Sequence, residues 1–228
     1  MDVRIFVAAV MASVITASFL INIYLFYSGY YPRAEGPAVE KLSSTSTVYE
    51  IKRPLFPLIV NTTDGVARVP VEGRINVFVP QYVNCPDICH IETLIMLYVM
   101  EKTVEAGISD RIVWVTVEVD PWRSEPGIVV RYMRDMAGDL YGKVDWIWIL
   151  EKGDKLEKIW KQLDIVAQRD NKTGLIGHTA GFYIVDENGT LLYYIKPKST
   201  ILENAWENPK DIGDGLWELL KYLARLEE

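Results

Sequence analysis

The sequence predicts an α/β domain, a mixed central sheet flanked by helices, behind an apolar N-terminal segment. Three observations carry that prediction. The runs "INVFVPQY" (75–82), "RIVWVTVEV" (111–119) and "VDWIWIL" (144–150) are nearly continuous in apolar residues and have strand length, the pattern of strands covered on both faces. Each is followed by a segment of helical spacing: "IETLIMLYVMEKTVEA" (91–106), "EPGIVVRYMRDM" (125–136) and "DKLEKIWKQL" (154–163). Such alternation indicates βαβ units around a buried sheet. Beyond residue 178 the pattern changes, and "TAGFYIVDENGTLLYYI" (179–195) places two apolar runs around an Asn-Gly step, the signal of a β-hairpin.

Taken in chain order, the first element is a membrane anchor. Ile5 to Phe26 carries no charged side chain, and about 22 residues rising about 1.5 Å each match a hydrocarbon core of roughly 30 Å. The run is too long for a signal-peptide core and ends in Tyr24, Tyr27, Tyr30 and Tyr31, suited to an interfacial belt. Residues 1–31 are therefore expected to be a single-pass transmembrane anchor. Arg4, Asp2 and Arg33 leave the basic-residue bias balanced, so the short leading segment sets the expectation that the C-terminal domain faces outside the cytoplasm at the cell membrane. Residues 32–48, "PRAEGPAVEKLSSTSTV", read as a tether, and 49–228 as the folded domain. Glu125 and Pro126 suit the first turn of their helix, Asp120 and Pro121 end the preceding strand and cap its turn, and Trp114, Trp146 and Trp148 are expected in the core. The last helix, "GDGLWELLKYLARLEE", aligns Leu216, Leu219, Leu220 and Leu223 on one stripe. The β-α-β then β-β-α order, with one extra βα unit inserted, is that of a thioredoxin-like fold.

Charge and cysteine content narrow the chemistry. A net charge of −7 argues against nucleic acid as a partner. The chain has two cysteines and two histidines, and "VNCPDICHIE" (83–92) holds both cysteines and one histidine. Two thiols are too few for a disulfide scaffold or a four-sulfur zinc site. Cys85 and Cys89 are four apart, so at a helix entry both sulfurs lie on one face, where the helix N-terminus lowers thiol pKa. Pro86 lacks an amide donor that an entering turn does not need, and Asp87 is placed to cap the first amides. A thiolate pair is redox-active or metal-binding; soft sulfur ligands select Cu(I), and an added imidazole suits both copper oxidation states. His90 points about 100° around the helix from Cys89. His178, just before the hairpin, lies in the loop that packs over the start of the Cys helix in a thioredoxin-like fold, which makes it the better third ligand.

"NCPDIC" after a strand, "VEVDPWRSEP" after the next helix, and "HTAGFYIVDENG" resemble, in order and spacing, the Sco/SenC family of membrane-anchored copper-binding thioredoxin-like proteins, over residues 49–227 and the anchor. The resemblance implies that Cys85, Cys89 and His178 bind one copper, and that the protein assists assembly of the CuA centre of cytochrome c oxidase. Its partner would be oxidase subunit II or a similar copper acceptor. Two positions depart from the family pattern: His90 stands where proline is usual, leaving a fourth ligand open, and Gly177 stands where an acidic residue usually precedes the histidine. Three other readings compete. A thiol-disulfide oxidoreductase would use Cys85 for attack and Cys89 for resolution. "CPDICH" is one residue longer between its cysteines than a haem c attachment motif. A peroxide-reducing thioredoxin relative is disfavoured by the close cysteine spacing. Asn61, Asn171 and Asn188 each begin an Asn-x-Thr glycan acceptor.

Overall fold

A computed structural model describes residues 37–198 and 209–224. The elements run α1 (Pro37–Thr45), β1 (Ser46–Pro54), β2 (Leu58–Thr62), β3 (Gly65–Val69), β4 (Ile75–Gln81), α2 (Ile88–Glu105), β5 (Ile112–Glu118), α3 (Pro126–Ala137), β6 (Asp145–Ile149), α4 (Asp154–Leu163), β7 (Ala167–Arg169), β8 (Ile176–His178), β9 (Phe182–Val185), β10 (Thr190–Pro197) and α5 (Lys210–Leu223). Eight strands form one mixed sheet in the order β1-β10-β9-β4-β5-β6-β2-β3, and β7 and β8 pair separately as a small hairpin. The three predicted strands β4, β5 and β6 are parallel neighbours, with Phe78 opposite Val115 and Thr116 opposite Trp148. β9 runs antiparallel to β4, and β10 antiparallel to β9. This is the thioredoxin-like arrangement, widened by β1 at one edge and by the β2–β3 hairpin at the other.

Burial explains why these segments became strands. Every residue of β4 and β5 is buried, as two-sided coverage by helices requires. Trp114 and Trp148 are fully buried and Trp146 nearly so. The indole N–H groups of the last two find partners: Trp146 Nε1 donates to Thr116 Oγ1 at 2.9 Å and Trp148 Nε1 to Glu118 Oε2 at 3.0 Å. The Asp186–Thr190 turn closes the β9–β10 hairpin as the Asn-Gly step predicts; Gly189 takes φ +82 while the Asp186 carboxylate accepts the amides of Asn188 and Thr190.

The expected tether is where the sequence misleads. Residues 37–45 are helical and strand β1 begins at Ser46, pairing with β10 from Ser46 opposite Pro197. Val39 and Leu42, three apart in an otherwise polar stretch, form a narrow buried stripe on α1. That stripe packs on α5 through Gly215, where an added Cβ would stand 2.9 Å from Leu42 Cγ. A nine-residue amphipathic helix is too short to register against the surrounding Ser, Thr, Pro and Gly, and the partner that fixes it lies more than 170 residues away. The expected anchor at 1–31 lies outside the described residues; among those described, no helix is long and apolar enough to cross a membrane.

Candidate metal centre

The centre sits where β4 hands over to α2. The chain leaves the sheet at Tyr82, turns so that the Cys85 amide donates to the Tyr82 carbonyl at 3.2 Å, and enters α2 at Ile88. Asp87 does not cap the helix with its side chain. Its backbone, at φ −140 and ψ −111, lacks the extended geometry that brings a capping oxygen over the next amides. The Cys85 sulfur takes that place and accepts the Cys89 amide at 3.5 Å, so the helix entry itself holds a sulfur against positive partial charge.

Cys89 lies one turn on, fully buried, and Cys85 is 4% exposed. Neither is in a disulfide. From the other side comes β8, which ends on half-buried His178. Its Nε2 lies 3.3 Å from Cys89 Sγ, and its Nδ1 lies 3.0 Å from the Thr179 carbonyl oxygen. A carbonyl can only accept, so Nδ1 carries a proton, and Nε2 is the ring nitrogen turned to the sulfurs. The ligating atoms of Cys85, Cys89 and His178 all lie within 4.8 Å of one another. Two sulfurs and an imidazole nitrogen in this compact arrangement fit a soft metal.

The two thiols are electrostatically unequal. Cys85 is pulled down to about 4, chiefly because the Cys89 thiol hydrogen-bonds to its sulfur, outweighing burial, with His178 and the amides of Cys89 and Asp87 adding to the effect. Cys89 is pushed up by its burial and by the bond it gives. Burial and the hydrogen bond they share thus set the pair apart, with Cys85 the more acidic of the two thiols.

Other side chains, not singled out in the sequence, fix this geometry. Tyr82 is buried, sets its ring edge-on to His178 at 5.7 Å, and accepts the Ile176 amide on its hydroxyl at 3.3 Å. Burial raises its pKa to about 12, so it stays a neutral phenol. Gln81 donates to the Cys89 carbonyl at 3.0 Å and to Thr93 Oγ1 at 3.1 Å, and accepts from Thr116. Glu92, fully buried, accepts the Gly181 amide at 2.6 Å. A polar residue inside the apolar strand 75–82, and an acid three residues after Cys89 on an apolar helix, were signals available in the sequence. His90 does not join the sulfurs: its Nδ1 lies 3.3 Å from the Tyr132 hydroxyl. Asp120 caps its turn as expected, its carbonyl accepting Arg123 N and Ser124 Oγ, while its buried carboxylate pairs with Arg123.

Fold and site together define a class, a thioredoxin-like domain with a Cys-Cys-His centre at the N-terminus of its first sheet-covering helix. The profile of the SCO1/SenC family matches residues 45–207. This chain belongs to the SCO1/SenC family. Among solved structures, apo Sco1 of Thermus thermophilus is 19% identical with a TM-score of 0.59, covering 76% of this chain and 92% of that one. Copper-bound yeast Sco1 is 19% identical with a TM-score of 0.53 over 70% of this chain and 90% of that one. BsSco, described with a disulfide switch and as a member of the Sco family of cytochrome c oxidase assembly proteins, is 16% identical with a TM-score of 0.54 over 72% and 95%. Identities this low establish the fold. No curated protein matches the chain by sequence comparison.

Proposed function

We propose that this protein is a membrane-anchored copper metallochaperone that holds one copper through Cys85, Cys89 and His178. In this reading it serves a copper acceptor on the outer membrane face, of the kind represented by the CuA-bearing subunit II of cytochrome c oxidase. The observation that carries the proposal is the convergence of two sulfurs and the His178 Nε2 within 4.8 Å on a SCO1/SenC chain. Copper would supply a soft, redox-capable cation. The protein's residues do the rest. The Cys85 thiolate provides a ready anionic ligand, Cys89 gives up its proton when metal replaces it, and the bond from Nδ1 to Thr179 keeps Nε2 aimed inward. Residues 1–31 would hold the domain at the membrane beside its acceptor.

The test is copper stoichiometry and absorption of the purified full chain, reduced and loaded anaerobically, beside His178→Ala. One copper per chain, with a thiolate-to-Cu(II) band that weakens in the variant, supports the proposal. Copper binding indifferent to all three residues would sink it.

A second reading has its own observation. An acidic Cys85 beside a protonated Cys89 is the arrangement of a thiol-disulfide exchanger, in which Cys85 attacks an acceptor disulfide and Cys89 resolves the mixed disulfide. Reduction of an acceptor's cysteines could precede metal transfer at the same site. His178→Ala separates the two activities, because exchange survives its loss and copper binding does not.

A further inference from the structure

We infer that Glu92 is a positioning residue, which fixes His178 against the cysteine helix by tying the loop after His178 to α2. The inference rests on the copper reading of the centre for its consequences, but on geometry for its existence.

Cys89 and Glu92 are three apart on α2 and so share a face. Glu92 is fully buried on a helix otherwise lined there by Ile91, Ile95 and Met96. One carboxyl oxygen accepts the Gly181 amide at 2.6 Å, and the other is buried without a hydrogen-bond partner. An apolar side chain would fill this space with no unpaired oxygen, so packing gives no reason for an acid here. The bond to Gly181 does.

Gly181 is the third residue after His178, and the loop between them is held on its remaining sides. Thr179 exchanges bonds with Val166, its amide donating to the Val166 carbonyl at 2.9 Å and its hydroxyl accepting the Val166 amide at 3.0 Å. The Tyr194 hydroxyl donates to the Ala180 carbonyl at 2.7 Å. These contacts fasten the loop to β10 and to the segment before β7, neither of which carries a cysteine. Gly181 itself, at φ +128, lies so close to β10 that an added Cβ would stand 2.4 Å from the Ile195 carbonyl oxygen. The loop is thereby rigid, and Glu92 joins it to the helix that carries Cys89. The 3.3 Å separation of Cys89 Sγ and His178 Nε2 spans the two bodies that this bond links.

The test uses the full chain in detergent, as wild type, Glu92→Gln and Glu92→Leu, first without metal. Nitrogen-15 NMR of the wild type should show a Gly181 amide protected from exchange and a His178 ring in one tautomer, protonated at Nδ1. Glu92→Gln, which keeps the acceptor, should preserve both signals, and Glu92→Leu should lose the protection and average the tautomers. With copper, Glu92→Leu should bind about 10–100-fold more weakly with a shifted thiolate-to-Cu(II) band, and Glu92→Gln should follow the wild type. A folded Glu92→Leu protein with unchanged ring, amide and copper signals overturns the inference, as does Glu92→Gln impaired to the same degree. If Glu92→Leu does not fold, a wild-type Gly181 amide that exchanges freely still overturns it. Failure of the wild type to bind copper would remove the copper reading alone, and the metal-free signals would then decide this one.

Discussion

Substituting Gly181 by Ala perturbs the centre without touching any ligand. Its Cβ would meet the Ile195 carbonyl oxygen at 2.4 Å and Tyr194 Cε2 at 2.9 Å. Ordinary contact begins near 3.4 Å, so the backbone oxygen and the loop must separate by about 1 Å. A backbone carbonyl within a paired strand cannot yield as a side-chain tip can. The residue must also keep φ +128, which costs a non-glycine residue about 1–3 kcal/mol. Overpacking adds about 1–3 kcal/mol. The expected loss of stability is therefore about 2–6 kcal/mol if the loop stays in place. If it moves, the Gly181 amide leaves Glu92 and His178 shifts from Cys89, which exchanges part of that cost for weaker metal binding. Urea unfolding of the metal-free full chain followed by tryptophan fluorescence measures the first quantity, since Trp114, Trp146 and Trp148 are buried. Copper titration measures the second. A variant unchanged in both urea midpoint and copper affinity would refute the close approach of this loop to β10.

Other consequences follow from the same geometry. Absorbance at 240 nm of the reduced, metal-free protein should report one thiolate titrating near pH 4, and Cys89→Ala should move that midpoint up, because the Cys89 thiol is the largest source of the shift. A folded-state pKa below the unfolded value of about 8.5 adds stability above that value and loses it as pH falls toward 4. The wild type should accordingly lose more stability than Cys85→Ser between pH 8 and pH 4, and equal slopes would deny the thiolate. His90→Ala should leave copper affinity and the charge-transfer band unchanged, since His90 faces Tyr132; a loss would place it among the ligands. Leu42→Ala should cost about 2–5 kcal/mol in urea unfolding, as truncation of a buried leucine does, whereas a true tether would tolerate it within about 0.5 kcal/mol.

The parts of the fold that the sequence reveals are those whose signal is local. β4, β5 and β6 stand out because strands covered on both faces read as unbroken apolar runs, and the β9–β10 hairpin because Asn188-Gly189 marks its turn. α1 and β1 are hidden because their order comes from α5 and β10, at the far end of the chain. The centre divides in the same way. Cys85 and Cys89 are neighbours in sequence at the predicted strand-to-helix junction, although Cys85 sits in the loop ahead of α2 and caps its Cys89 amide rather than sharing a helix face with it. His178 is reached only through the expected topology, and the structure brings it to 3.3 Å from Cys89. Glu92, Gln81 and Tyr82 act through bonds to a backbone amide or carbonyl in another segment or to another buried side chain, and no residue pattern announces such partners.

Quantitative copper loading of the full chain, wild type beside Cys85→Ser, Cys89→Ser and His178→Ala, addresses the central assignment most directly. A Cys-Cys-His copper centre predicts one tightly held copper per wild-type chain, a sulfur-to-Cu(II) band on oxidised loading, and weakened binding with an altered band in each of the three variants. A wild type that exchanges disulfides efficiently yet retains no copper, or variants that load as the wild type does, would contradict it.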